Sequence, residues 1–94
     1  MSKKDEKRWG LYIVKCNDDT FYCGITVNID NRVATHNKGR GSKYTSQRLP
    51  VSLRTFSGYI FTHGDALREE RRVKRLPRKR KIAAIDNLRD SSES

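Results

Sequence analysis

The sequence predicts an α+β fold: one three-stranded antiparallel sheet flanked by helices, in the order ββαβαα. Three observations predict it. β-Branched and aromatic residues gather into two short runs, Gly10 to Cys16 and Phe21 to Thr26, and a longer one, Val51 to Phe61; such runs suit the pleated, half-buried surface of a sheet. A polar turn cluster separates the first two runs. Helical spacing of apolar residues appears between the second and third runs and again after the third.

Taken in order, Gly10–Cys16 and Phe21–Thr26 form a hairpin around Asn17-Asp18-Asp19-Thr20, whose short polar side chains bond their own backbone. Tyr12 and Tyr22 share a sheet face only if that turn has an odd number of residues, as Asn17 to Asp19 would give, because a one-residue change swaps the faces. Asn28 is placed to cap a helix over Ile29 to Lys38, with Ile29, Val33 and His36 at helical spacing. Gly39 and Gly41 are expected to end it by accepting a left-handed backbone. A basic loop follows through Arg48, and Pro50 bounds the third strand, Val51 to Phe61, which is expected to bulge at Gly58. His63-Gly64-Asp65 opens a second helix that runs to Arg75. Pro77 stops it and suits the first turn of a third, Arg78 to Leu88, with Ile82, Ile85 and Leu88 on one side. Residues 1–8 are then a charged tail, 9–89 a single domain and 90–94 a polar tail, and both tails are expected to fray.

The chain has 94 residues, 34% hydrophobic and 34% charged, enough for one domain with a compact core. No apolar run approaches the ~18 residues of a membrane span, and no secretory signal is recognisable. Cys16 and Cys23 cannot complete a zinc site with His36 and His63 at their spacing. The expectation is a cytoplasmic protein with reduced cysteines and no membrane partner. Lys and Arg number 21 against 11 acids, a formal charge of +10. The excess is uneven: Lys38 to Arg48 holds four bases and no acid, and Arg68 to Lys81 nine bases and two acids. Such clusters suit a polyanion, whose phosphates release counterions when neutralised; a solvated basic surface or an anionic membrane is the plainer alternative. Within the second cluster, Pro77 to Lys81 reads as a helix start lined with phosphate contacts or as a nuclear localisation signal.

Three placements invite more than a structural account. Successive helical residues turn by about 100°, so on the second helix Glu70 falls in the middle of the arc of Ala66, Leu67 and Val73, with Glu69 to one side. An ionised carboxylate facing a core needs a cation, a metal or hydrogen bonds; an internal ion pair to an arginine would also serve. On the first helix His36 lies inward, with Arg32 one turn earlier. A lone inward histidine is commonly a satisfied core residue, but an arginine beside it suits a scissile phosphate. Tyr12 and Tyr22 could simply pack the sheet, while Gly24 in a strand marks a bulge or the close approach of a ligand to backbone.

These residues together resemble a known pattern. Gly10-Leu11-Tyr12 looks like the GIY element of the GIY-YIG nucleases and Tyr22-Cys23-Gly24 like the YIG element, with ten-residue steps from Tyr12 to Tyr22 and from Tyr22 to Arg32. The stretch GITVNIDNRVATHNKGRGSKYT is similar to the small stand-alone bacterial members, and ALREERRVKRL to their helix bearing a metal-ligand Glu. The resemblance covers Trp9 to Ile85, and extends at greater distance to the N-terminal nuclease domain of the UvrC excision-repair enzymes. Leu11 and Cys23 replace the two isoleucines of the motif, Ile25 stands where the repair enzymes carry lysine, and the family asparagine from the last helix has only Asn87 as a candidate.

The resemblance implies a metal-dependent endonuclease that hydrolyses phosphodiester bonds, with DNA the expected substrate over RNA and a role in DNA repair or recombination. Glu70 would hold one Mg²⁺ (or Mn²⁺), and Arg32 would stabilise the pentavalent phosphate. Tyr12 would orient or deprotonate the water, its pKa lowered by the metal and arginine, and Tyr22 and His36 would bind phosphate or share in proton transfer. Gly24, Lys38, Arg40, Lys43, Tyr44, Thr45, Arg48, Arg71 and Lys74 would contact nucleic acid. With no separate recognition domain, the expectation is low intrinsic sequence specificity, or specificity supplied by a protein partner. The alternative is a nucleic-acid-binding module without turnover, which leaves Glu70 unexplained.

Overall fold

A computed structural model describes the backbone of residues 6–92 and the side chains of residues 6–89. Of the two expected tails, residues 1–5 and 93–94 lie outside the described residues. The elements are β1 (Gly10–Lys15), β2 (Phe21–Thr26), α1 (Ile29–Asn37), α2 (Lys43–Ser46), β3 (Ser52–Phe56), α3 (His63–Lys74) and α4 (Arg78–Ser92). The sheet is antiparallel, in strand order β2-β1-β3. The central strand is buried from Gly10 to Val14, which its almost unbroken apolar run requires. α3 and α4 cover one face of the sheet and α1 with α2 the other.

The hairpin turn has odd length. Cys16 N–H donates to the Thr20 carbonyl at 2.8 Å, which closes Asn17-Asp18-Asp19, and Asp19 takes a left-handed φ of 66°. Asp18 steadies the turn by accepting from the Thr20 amide and hydroxyl. Tyr12 consequently pairs with Gly24 and Val14 with Tyr22, so both tyrosines lie on the α1 face. The alternate residues Leu11, Ile13 and Cys23 meet Ala66, Val73 and Ile85 on the other face.

Four local expectations change. The basic loop contains one helical turn, α2, capped by the Ser42 side chain on the Thr45 amide. Strand β3 is shorter than expected, Ser52–Phe56, and its bulge is at Arg54, the residue left over between the pairs Ile13–Thr55 and Val14–Leu53. Gly58, at φ 90°, ends the strand's neighbourhood instead, and the chain rejoins the sheet where Phe61 bridges Trp9. Gly39 is left-handed at φ 79°, whereas Gly41 does not have a positive φ. Helix α4 continues to Ser92, since nothing after Leu88 removes a donor or loosens the backbone.

Candidate nucleic-acid-cleaving site

The α1 face of the sheet carries a buried polar network. Tyr12 is wholly enclosed, and its ring occupies the space above Gly24, where a β-carbon would fall inside the phenol. Helix α1, capped by Asn28 on the Asn31 amide at 3.0 Å, sets Arg32 and His36 one turn apart, over that phenol. Arg32 Nε–H donates to the Tyr12 oxygen at 3.1 Å, and Arg32 Nη2 to the Gly41 carbonyl at 3.0 Å. With its oxygen already accepting, Tyr12 has its own proton for His36 Nε2, 2.8 Å away. The network then assigns the other ring proton: His36 Nδ1–H donates to Thr45 Oγ1 at 2.8 Å. The Thr45 hydroxyl ends the chain on Ser42, whose Oγ is 2.9 Å away.

Burial dominates the electrostatics. It pushes the Tyr12 phenol up to about 12, with the Arg32 hydrogen bond offsetting only part of the rise. Burial and then the Arg32 charge push His36 down to about 4. Tyr12 therefore keeps its proton and His36 is neutral at pH 7. The direction for Tyr12 is opposite to the lowering that a water-activating base needs. Cys23, on the other face, is pushed up to about 12 by burial and then by the charge of Glu70, so it remains an unreactive thiol. Both cysteines are free and buried.

Tyr22 lies at the mouth of this network. It is half-buried on β2, which is an edge strand. Its ring meets His36 edge-on, with centroids 5.4 Å apart, and stacks on Tyr44 at 6.0 Å. Lys74 Nζ reaches within 5.5 Å of the same ring and stands 3.6 Å from a Glu70 oxygen. Glu70 itself rises from α3, below the sheet, with 19% of its side chain exposed. Tyr22, Arg32, His36 and Tyr12 form one connected group, and Glu70 joins it around the edge of β2 through Lys74. Asn87 is exposed on α4, and among the described residues no hydrogen bond ties it to the group.

The expected nucleic-acid contacts divide. Lys38, Arg40, Lys43, Tyr44, Arg71 and Lys74 are exposed. Thr45 is not available to a ligand; it is wholly buried and committed to His36. Gly24 is also buried, and the Tyr12 ring accounts for its lack of a side chain. Arg48 is held by Asp18 at 3.0 Å and by the Tyr44 carbonyl at 2.8 Å, with its guanidinium 3.8 Å from the Tyr44 ring centre.

Sequence reasoning missed two residues. Gly41 is needed because a β-carbon there would enter the His36 ring, and Ser42 because it caps α2 and closes the network. The spacing Ser42-x-x-Thr45 was the available signal, since a serine hydroxyl caps the amide three residues on.

No helix among the described residues is long and apolar enough to cross a membrane. Among the same residues no three His, Cys, Asp or Glu side chains gather into a metal-holding group. Glu70 fits a hard cation by its oxygen donors, its partial exposure and its loose contact with Lys74.

The profile of the GIY-YIG catalytic domain matches residues 8–83. The chain is 42% identical over 84 residues to the UPF0213 protein YazA of Bacillus subtilis, covering 89% of this chain and 84% of that one. It is 40% identical over 85 residues to a UPF0213 protein of Nitratidesulfovibrio vulgaris, covering 90% and 76%. A solution NMR structure of a UPF0213 protein from Bacillus halodurans is 34% identical, covers 83% of this chain and 82% of that chain, and gives a TM-score of 0.48. With the profile matched over most of its length, from the GLY and YCG elements to the first turns of α4, the chain belongs to the GIY-YIG catalytic domain family.

Proposed function

We propose that the chain is a metal-dependent endonuclease that hydrolyses phosphodiester bonds, with DNA its substrate and DNA repair or recombination its setting. The observation that carries this reading is the Arg32–Tyr12–His36–Thr45 network, which fixes an arginine at the mouth of a site that Glu70 and Lys74 enter from the other side of β2.

Hydrolysis adds a water oxygen to phosphorus, breaks the bond to the leaving oxygen and returns a proton to it. Arg32 is permanently charged, and its remaining N–H groups face developing charge on the nonbridging oxygens. Tyr22, partly exposed beside it, supplies a phenol to the same phosphate. Tyr12 and His36 hold Arg32: the buried, protonated phenol accepts from Nε, and the neutral imidazole accepts a hydrogen bond from the phenol O–H. Their part is to fix the guanidinium, which costs no reorganisation when charge develops. Glu70 is the residue that would hold Mg²⁺ or Mn²⁺, and such a cation when bound polarises the phosphoryl oxygens and lowers the pKa of a bound water. Lys74 balances the Glu70 carboxylate and steers phosphate toward it.

A nucleic-acid-binding module without turnover is the second reading, favoured by the Lys74–Glu70 contact, which gives the carboxylate an ordinary ion-pair role. Labelled single-stranded, nicked and branched DNA and RNA, incubated with Mg²⁺ or Mn²⁺ against EDTA, separate the two. Cutting that disappears in EDTA and in Glu70→Ala supports the nuclease. Salt-sensitive binding without cutting on every substrate overturns it in favour of the binding module.

A further inference from the structure

A second basic surface lies on the opposite face of the sheet. Phe21 and Tyr22 are consecutive residues of the edge strand, so their rings point to opposite faces. Each ring carries a cation from the α3–α4 segment: Lys74 Nζ is 5.5 Å from the Tyr22 ring centre, and the Arg78 guanidinium 4.4 Å from that of Phe21. Beyond Arg78 opens a cleft of about 430 Å³ lined by Phe21, Arg54, Arg78, Lys79 and Ile82. Phe21 and Ile82 belong to the rim of the apolar cluster between the sheet and the α3–α4 layer, which places the cleft away from Tyr12 and His36.

Its charge is unbalanced. Among the described residues no carboxylate pairs with Arg54, Arg78 or Lys79; Arg78 donates only to the Asp19 carbonyl, at 2.6 Å. Arg54 is the extra residue of the bulge in β3, a device that re-aims a side chain at the expense of a ladder position. Three cations from two elements, none with an ion-pair partner among the described residues, over an apolar floor, do not focus on one small anion. They suit a chain of phosphates whose sugar or base faces lie against Phe21 and Ile82.

We propose that this cleft is a second nucleic-acid-binding site, which takes the phosphodiester backbone of the bound nucleic acid after it passes the edge of β2 from Tyr22 and Lys74. The nucleic-acid reading of the first site supplies the identity of the ligand, and the cleft adds length to the contact. The protein then grips its substrate on both sheet faces, and affinity depends on how much backbone extends past the cut.

The test is fluorescence anisotropy in EDTA, which reads binding without cleavage. The probes are a short oligonucleotide that fills only the Tyr22–Lys74 region and one several times longer. Arg54→Ala/Lys79→Ala removes two exposed charges at little risk to folding, and circular dichroism confirms the fold. The double variant is expected to bind the long probe with a slope of log affinity against log salt shallower by about 2, one per lost phosphate contact. The short probe is expected to bind unchanged. Charge-reversed Arg54→Glu/Lys79→Glu should weaken the long probe further. An unchanged slope on the long probe, or an equal loss on both probes, overturns the second site. The outcome is independent of turnover: a protein that never cuts but shows the length-selective loss would refute the nuclease and leave the cleft standing.

Discussion

Strand β1 divides two interiors, one wholly apolar and one in which an apolar cluster surrounds a polar network. On the α3–α4 face, Leu11 and Ile13 meet Ala66, Val73 and Ile85, all fully buried and apolar. On the α1 face, Tyr12 and Val14 form a second apolar cluster with Cys16 and Val51, and this one also encloses His36 and Thr45, equally buried and joined to Tyr12 through hydrogen bonds. The first interior stabilises by removing area from water, roughly 1.5–3 kcal/mol for each large side chain. The second gains little net stability from its bonds, since protein–protein bonds replace bonds to water, yet loses much if one partner is removed. Both faces hold the fold together by apolar burial, and the α1 face in addition fixes Arg32 through its hydrogen bonds.

The largest effect should come from the apolar face. Ile85→Ala leaves a void at a fully buried position and is expected to cost about 2–5 kcal/mol, seen as a lower denaturant midpoint. Any cleavage rate per folded molecule should be unchanged. A variant of wild-type stability that lost activity would show that the two interiors are not separable.

The polar face should instead show itself in pH dependence. His36 falls from 6.5 to about 4 in the folded protein, so its contribution is complete above 6.5 and is lost as pH falls toward 4. Over that window it amounts to about 3 kcal/mol. Unfolding measured across the window in wild type and in His36→Gln checks the sign. Equal slopes in the two proteins would mean that His36 charges freely in place, contrary to its burial.

Gly24→Ala tests the junction of strand and network. The new β-carbon must displace the Tyr12 phenol, at about 1–3 kcal/mol, and Arg32 loses one of its two acceptors, keeping only the Gly41 carbonyl. Cleavage is expected to fall more steeply than stability. A crystal structure of the variant with Tyr12 still on His36 would sink this account of Gly24.

The smallest effect separates hydroxyl from shape. Thr45→Val leaves His36 Nδ1 without its partner and should cost about 1–2 kcal/mol, whereas Thr45→Ser keeps the oxygen and should lie closer to wild type. Equal losses would assign Thr45 to packing alone.

Much of this arrangement is legible in the sequence. The alternation that splits Leu11 and Ile13 from Tyr12 and Val14, the odd turn at Asn17 to Asp19 and the helix spacing of Arg32 and His36 are local, and period and cap chemistry fix them. Glu70 is found by its conflict with the apolar residues around it. Other features were not legible, for identifiable reasons. The bulge at Arg54 depends on how β3 registers against β1, while Gly58 offered the stronger local signal. Thr45 looked like a surface contact because its sequence neighbours are basic and exposed; only the fold of the loop over His36 turns it inward. Gly41 looked like a helix stop, although its need is for space beside the His36 imidazole, which the local sequence could not reveal.

By itself the sequence determined which residues are strands and helices, which faces they present, and which polar groups sit where burial is expensive, because these follow from spacing and side-chain chemistry along a short stretch. The tertiary structure alone decided that Tyr12 is enclosed, so that burial pushes its pKa up, that Glu70 contacts Lys74, which lies over the Tyr22 ring at the edge of β2, and that Arg54 meets Arg78 and Lys79 in one cleft. Each of these depends on residues far apart in the chain meeting in a low-dielectric interior or at a sheet edge, where solvation and distance, not local pattern, set the energy.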